Sequence, residues 1–436
     1  MKTNAHPPAK TAGSRVDPKI SADGWVVLLV LTLVYTLNIA DRFVMSTLIE
    51  PIKLEFHLSD GQVALLTGAV LAIFYVAAGI PLGLLADRTS RKRLIMVSLA
   101  AWSILTGICG LTRGFGQLLF ARIFVGIGEA GGTPPSQSLL SDKFAPGSRG
   151  FAMSLYAIGA AAGAALGASL GGLLNDLYGW RVVLIVFGAM GLPLFLLVAA
   201  TVREPARGAM DDGPTAEKPV SVMEALSYVR HNRALIHILA GTAVVTFWGW
   251  GLVWWTPAFL LRSHDMSLSV SGGHLGMMHA IGGGGVTLAT AWILHAARYK
   301  GAAFQARFVA WATILPTIPS IIAFQSGSAT VSLCALWIFV PMTYLYIGPT
   351  LAITQNLVPA TMRSQACAFI LFVANVANLA IAPLLLGEMS DMLAPYLADP
   401  GQSLRWVLVA SAFTGFWGAW HYWAAARAFD RVQSAA

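Results

Sequence analysis

The chain has 436 residues, a formal net charge of +8, 56% hydrophobic residues and only 11% charged ones. Soluble domains carry about 25% charged residues, so this composition cannot cover a water-facing globule. The Lys and Arg residues are spaced between apolar runs rather than gathered on one face, which excludes a nucleic-acid binder.

A helix needs about 20 mostly apolar residues to cross the hydrocarbon core. Residues 1–23 form a polar tail with no small-residue cleavage site behind it, so the first span is expected to be retained. Spans are predicted at 24–47, 61–86, 93–111, 115–141, 149–174 and 180–202, which together make one six-helix bundle over 24–202. The longest polar interruption, 203–233, contains Pro205, Pro214 and Pro219 and reads as a linker. Six more spans follow at 234–261, 269–297, 304–325, 329–356, 363–388 and 403–427, with 428–436 as a second tail. The expected fold class is an all-α membrane protein of twelve transmembrane helices in two pseudo-symmetric six-helix bundles. Cys109, Cys334 and Cys367 sit in apolar runs without metal-ligand spacing, so no disulfide framework, metal or cofactor is expected.

With the N-terminus placed inside, the outer connections hold only Lys53, Arg113, Arg181, Arg262 and Arg405. Nearly all other basic residues fall inside, and one wrong span would scramble that alternation. Both termini are therefore expected to be cytoplasmic, in a multi-pass protein of the cell (inner) membrane. The halves also echo one another: Gly172 precedes Asp176 by four residues after span 5, and Gly387 precedes Asp391 by four after span 11. Internal duplication of this kind is how many secondary transporters are built, with a binding site between the repeats.

Between spans 2 and 3 the sequence reads GLLADRTSRKR over 83–93. It resembles the signature loop of the major facilitator superfamily, with Ser90 where the general pattern has Gly. Gly83 would let helices approach, Asp87 would face the N-terminus of a helix in the second half, and Arg88 and Arg91 would stay in cytosolic water. The matching loop of the second half, around His295, Arg298 and Arg307, has no acid. Span 1 reads YTLNIADR over 35–42 and span 4 reads RIFVGIGEA over 122–130. Together they resemble the spinster-like branch of that superfamily, whose members include lysolipid and sphingosine-1-phosphate transporters. The resemblance implies an alternating-access carrier.

Four ionisable residues lie well inside predicted spans: Asp41, Arg42, Arg122 and Glu129. A charge at mid-bilayer costs at least about 2.5–3.5 kcal/mol, so such residues line cavities and pair. Arg122 and Glu129 are two turns apart and share a face, roughly 10 Å apart along the axis. Asp41 and Arg42 are about 100° apart on their helix and cannot both point at one partner. Glu129 and Asp41 are the expected proton-coupling groups, and Arg42 and Arg122 the expected grip on a phosphate or carboxylate. The alternative is a static ion-pair cluster holding helices 1 and 4 together.

Tyr156, Phe247 and Trp248 are assigned with the arginines to substrate binding, span 7 being rich in Trp. An interfacial aromatic belt explains those rings equally well. Glycines recur at four-residue spacing in span 5, and Gly163 and Gly167 are read either as tight packing or as a sliding seam. The expected partners are protons, membrane lipid and a small amphiphilic or anionic substrate, with the chain acting as a monomer. A carrier of small organic anions such as sugar acids, and more remotely a transporter-like sensor, are the alternatives; no nucleophile–base pair supports an enzyme.

Overall fold

The computed structural model describes residues 21–207, 209–210, 222–297, 301–359 and 362–435. Most of the expected N-terminal tail and the interior of the expected linker lie outside the described residues, as does the side chain of Asp87.

Apolar runs become helices because a backbone in hydrocarbon must satisfy its own hydrogen bonds. Among the described residues, ten helical segments are long and apolar enough to cross a membrane. In the first half lie α1 (Ala22–Thr47), α2 (60–88), α3 (Arg91–Cys109), α4 (115–143), α5 (Pro146–Tyr178) and α6 (Trp180–Thr201). The second half has α7 (Arg233–His264), α8 (268–296), α9 (Gly301–Gln325), α10 (Ala329–Leu357), α11 (363–393) and α12 (403–435). Two of these, α4 and α12, are not among the ten, and both are interrupted. In α4 the break comes at Gly131–Gly132 before Pro134 and Pro135, where prolines suit a fresh helix start. In α12 it comes at Phe413.

Polar residues mark the starts. Ser21 caps α1 by accepting from the Gly24 N–H at 3.0 Å, and Ser59 with Gln62 forms a capping box on α2. Between α5 and α6 the chain turns at Gly179, whose φ of +81° suits glycine. Wider turns of π type interrupt α2 at Leu65–Ala69, α8 at Met278–Gly283 and α11 at Val376–Ile381. Such turns are frequent at functional sites.

Each bundle buries its own apolar seams and leaves an apolar outer girdle. Val97 on α3, Leu192 on α6, and Leu288 and Trp292 on α8 are all largely exposed. In water such a surface would drive aggregation, but in lipid it is the solvated face. The described residues begin and end at one end of the two bundles, termed here the terminal end; the other is the distal end.

Candidate transport site

Near the middle of the first bundle the four span charges come together. Arg42 Nε donates to Glu129 Oε2 at 2.7 Å, joining α1 to α4. The Arg42 guanidinium also sits 4.6 Å from the centre of the Tyr75 ring on α2, a favourable cation–π placement. One residue earlier, Asp41 turns away and accepts from Thr106 Oγ1 of α3 at 2.5 Å. This is the roughly 100° divergence expected of adjacent helical residues.

Arg122 is fully buried, lies within electrostatic reach of Asp41, and has no hydrogen-bond partner among the described residues on any of its three nitrogens. Glu129 Oε1, Asp41 Oδ1, both side-chain polar atoms of Asn38 and the indole N–H of Trp102 are buried and unpartnered too. Buried polar groups are normally satisfied. The cluster forms a polar centre inside the first bundle, here termed the chamber, whose hydrogen-bonding capacity is incompletely used. Asn38, Tyr75, Trp102 and Thr106 belong to it and escaped the sequence reading. Asn38 alone carried a signal, since it sits about one turn before Asp41 and Arg42.

An aromatic wall from the second bundle stands beside this chamber. Trp250 and Trp254 of α7 and His279 in the wide turn of α8 gather around Phe43 of α1, with ring centres 5.2 to 6.1 Å apart. The Tyr344 and Trp250 ring centres are 4.9 Å apart in a T-shaped arrangement, and the Tyr344 hydroxyl is 3.0 Å from His279 Nδ1. Half-buried Phe247 shares the helical face of Trp250 and Trp254. Trp248 does not. It points into the second bundle, donating to Ser320 Oγ at 3.3 Å and packing 5.2 Å from Phe339. The ring expected beside the substrate is thus turned away from the interface with α1, because helical phase puts it on the other side of α7. Tyr156 is buried and stacks on Tyr35 of α1 at 4.7 Å.

The two bundles are clasped toward the distal end. Arg262 at the end of α7 reaches across to Glu50 at 2.6 Å and, with two nitrogens, to Asp60 at 2.8 and 2.7 Å. Lys53 and Ser390 also hold Asp60, each at 2.6 Å. The repeated Gly–Asp spacing acquires a physical meaning here. Asp391 accepts from the Asp60 and Gly61 N–H groups at 2.8 and 2.7 Å, capping the start of α2. Asp176 accepts from the Ser269 N–H at 2.8 Å, capping the start of α8. A Cβ at Gly172 would collide with the Leu268 carbonyl, and one at Gly387 would lie 2.6 Å from the Asp60 carbonyl oxygen. In each repeat the glycine admits a partner helix end and the carboxylate four residues later holds its exposed N–H groups. Centrally, Ser46 Oγ donates to the Trp254 carbonyl at 2.5 Å and Trp254 Nε1 donates to Thr67 Oγ1 at 3.3 Å.

This geometry has known counterparts. The Major Facilitator Superfamily model matches residues 31–383. The chain belongs to the major facilitator superfamily. An "MFS-type efflux pump" of Mycolicibacterium smegmatis is 30% identical over 93% of this chain and 94% of its own length. "Protein spinster homolog 1" of Rattus norvegicus is 29% identical over 90% of this chain and 79% of its own. A bacterial homolog of the human lysosomal transporter spinster, solved inward-facing and unoccupied, superposes with a TM-score of 0.83 at 28% identity, covering 94% of this chain and 98% of that one. Within the superfamily the chain is thus of the spinster-like branch, and it is a membrane transporter.

The superfamily's signature loop behaves differently from the sequence expectation. Arg88 is exposed, as expected. Arg91 is only 1% exposed. It pairs with Asp142 of α4, reaches Glu204 beyond α6 at 3.3 Å, and donates to the Pro205 carbonyl at 3.1 Å. Ser90, the departure from the family pattern, caps α3 by accepting from the Arg93 N–H at 3.2 Å and also bonds Glu204. The expectation that Arg91 stays in water is thus corrected, because the acceptor-bearing ends of α4 and α6 converge on it. Removing one partner of a buried pair costs about 3–5 kcal/mol, and surface substitutions cost about 0.5 kcal/mol or less. Arg91→Ala is therefore expected to lower the thermal midpoint in detergent markedly while Arg88→Ala leaves it in place; equal midpoints would show that the Arg91 contacts contribute nothing.

A Cβ on Gly83 would meet open space, so no close approach there requires glycine. Gly163 and Gly167 abut Thr36 and Ala40 of α1, where a Cβ would fall 2.5 Å from either carbonyl oxygen. Both lie within the first bundle, which is the tight-packing arrangement. The small residues between bundles are others: a Cβ on Gly272 of α8 would strike the Ala168 carbonyl, and one on Gly68 of α2 the Leu379 carbonyl.

Proposed function

We propose that this protein is a proton-coupled carrier of an amphiphilic organic anion, working by alternating access, with Glu129 and Asp41 as the proton-handling groups. The observation that carries the reading is Arg122, fully buried with three unpartnered nitrogens beside two half-satisfied carboxylates. A guanidinium held this way is pre-organised for a phosphate or carboxylate oxygen. The neighbouring carboxylates change their proton affinity when that headgroup arrives or leaves. The aromatic wall of Phe43, Trp250 and Trp254 suits the apolar part of the same molecule.

Basic residues are concentrated toward the terminal end, which supports a cytoplasmic terminal end in the cell membrane. The clasp at Asp60, Arg262 and Asp391 then closes the outside, the side that an inward-facing carrier keeps shut. For transport, the distal clasp must release while the chamber reorganises around its cargo.

Reconstituted vesicles with an imposed pH gradient, offered a panel of lysolipids and small organic anions, test this reading. At least one amphiphilic anion is expected to accumulate against its gradient. Arg122→Ala is expected to raise KM by about tenfold or more, the worth of a charge-assisted hydrogen bond. Accumulation of sugar acids alone would overturn the amphiphile assignment, and a KM indifferent to Arg122 would remove it from the site.

A further inference from the structure

A second polar recess lies far from the transport chamber, on the outer face of the second bundle where α7 and α12 meet at the terminal end. A cleft of about 350 Å³ there is lined by Arg233, His237, Trp420, Trp423, Arg427 and Arg431. It adjoins a shallower cleft of about 720 Å³ that shares Arg233 and Arg431 and runs toward Tyr228 and Phe429. No carboxylate lines either cleft among the described residues. Nor does Arg233 or Arg427 form an ion pair with a described acid, whereas nearby Arg307 pairs with Asp430. Arg233 and Arg427, lining an acid-free recess beside a bilayer, call for an anion from outside the chain.

The surroundings say where that anion comes from. Along α12, Phe413, Trp417 and Trp420 are more than half exposed and recur at three- and four-residue spacing, on the face that continues to Arg427 and Arg431. This face is apolar where acyl chains lie and cationic where headgroups lie. The short helix Val222–His231 precedes Arg233 with Met223 and Leu226 exposed while Ala225 and Val229 are buried. A helix with apolar residues on both its inner and outer sides at this level sits in the interface plane. Half-exposed Trp420 packs against His237 in a T-shaped arrangement with ring centres 5.7 Å apart, fixing an indole at the depth where aromatic belts form.

We propose that this cleft is a binding site for an anionic phospholipid of the leaflet at the terminal end, its phosphate held by Arg233 and Arg427 and its acyl chains lying along the Trp420–Trp417–Phe413 stripe. Basic recesses between membrane helices at this level bind such headgroups. The site is separate from the chamber around Arg122, so its failure would leave the transport reading untouched.

Native mass spectrometry of the delipidated full-length protein, titrated with dioleoylphosphatidylglycerol, dioleoylphosphatidylcholine or inorganic phosphate, provides the test. Phosphatidylglycerol is expected to bind at least about tenfold more tightly than phosphatidylcholine, and millimolar inorganic phosphate should not displace it. The double variant R233Q/R427Q should lose that preference, while R307Q, which removes a paired cation from the same end, should keep it. Equal binding of the two lipids, an unchanged preference in R233Q/R427Q, or displacement by inorganic phosphate each overturns the proposal, the last by showing a general anion site. If R233Q/R427Q does not fold, dibrominated phosphatidylglycerol should quench wild-type tryptophan fluorescence more than its choline counterpart, and W420F should narrow the gap. A gap that W420F leaves unchanged places the lipid elsewhere.

Discussion

Glu129→Gln is expected to abolish proton-driven accumulation while leaving substrate exchange at equal pH largely intact. Gln keeps the volume of Glu and mimics its protonated form, so the Arg42 hydrogen bond survives with a neutral acceptor. The charge that must appear and disappear during coupling no longer does. Exchange across equal pH needs no net proton movement and loses far less. Because Glu129 is fully buried and Arg42 nearly so, the substitution also leaves Arg42 as an uncompensated buried cation, a defect that destabilises by about 3–5 kcal/mol when a pair is broken outright. Equal protein amounts and thermal midpoints must therefore be shown first. A well-folded Glu129→Gln protein that still concentrates substrate under a pH gradient would make Glu129 structural and return the coupling role to Asp41 alone.

Arg262→Ala is expected to release the distal clasp. Arg262 is the only cation of the second bundle described as reaching Asp60 and Glu50, and its loss leaves those two carboxylates facing Asp391 with only Lys53 in compensation. The three paired side chains are about one-tenth exposed or less, so screening is limited. A loss near 3 kcal/mol in the closed state alone corresponds to a shift of roughly a hundredfold in the open–closed ratio. Spin labels at Leu54 and Tyr396, both strongly exposed at the distal end, should report longer distances in Arg262→Ala. Asp391→Asn should give a smaller shift in the same direction, because an amide oxygen still accepts from the Asp60 and Gly61 N–H groups but loses its charge against the helix end. A distance distribution identical to wild type would show that apolar seams, and not the ionic clasp, keep the outside shut.

The sequence by itself determined which segments cross the membrane, the division into two echoing bundles and the four charges that form the chamber. Those properties are local: an apolar run, a lysine count, or a charge inside hydrocarbon has its energetic meaning wherever the segment packs. The Gly172–Asp176 and Gly387–Asp391 echo was also visible, although its use as a pair of helix-end caps was not. Only the tertiary structure decided who meets whom. Arg42 and Glu129 are 87 residues apart and Arg262 and Asp60 are 202 apart, and helical periodicity gives the face a residue occupies without giving the helix that face will meet. For the same reason Trp250 and Trp254, and not Trp248, stand at the bundle interface, and Gly163 and Gly167 serve a seam inside one bundle. Arg91 makes the point most directly: its sequence neighbours are the basic residues of a polar loop, yet the ends of α4 and α6 arrive from elsewhere in the chain and bury it.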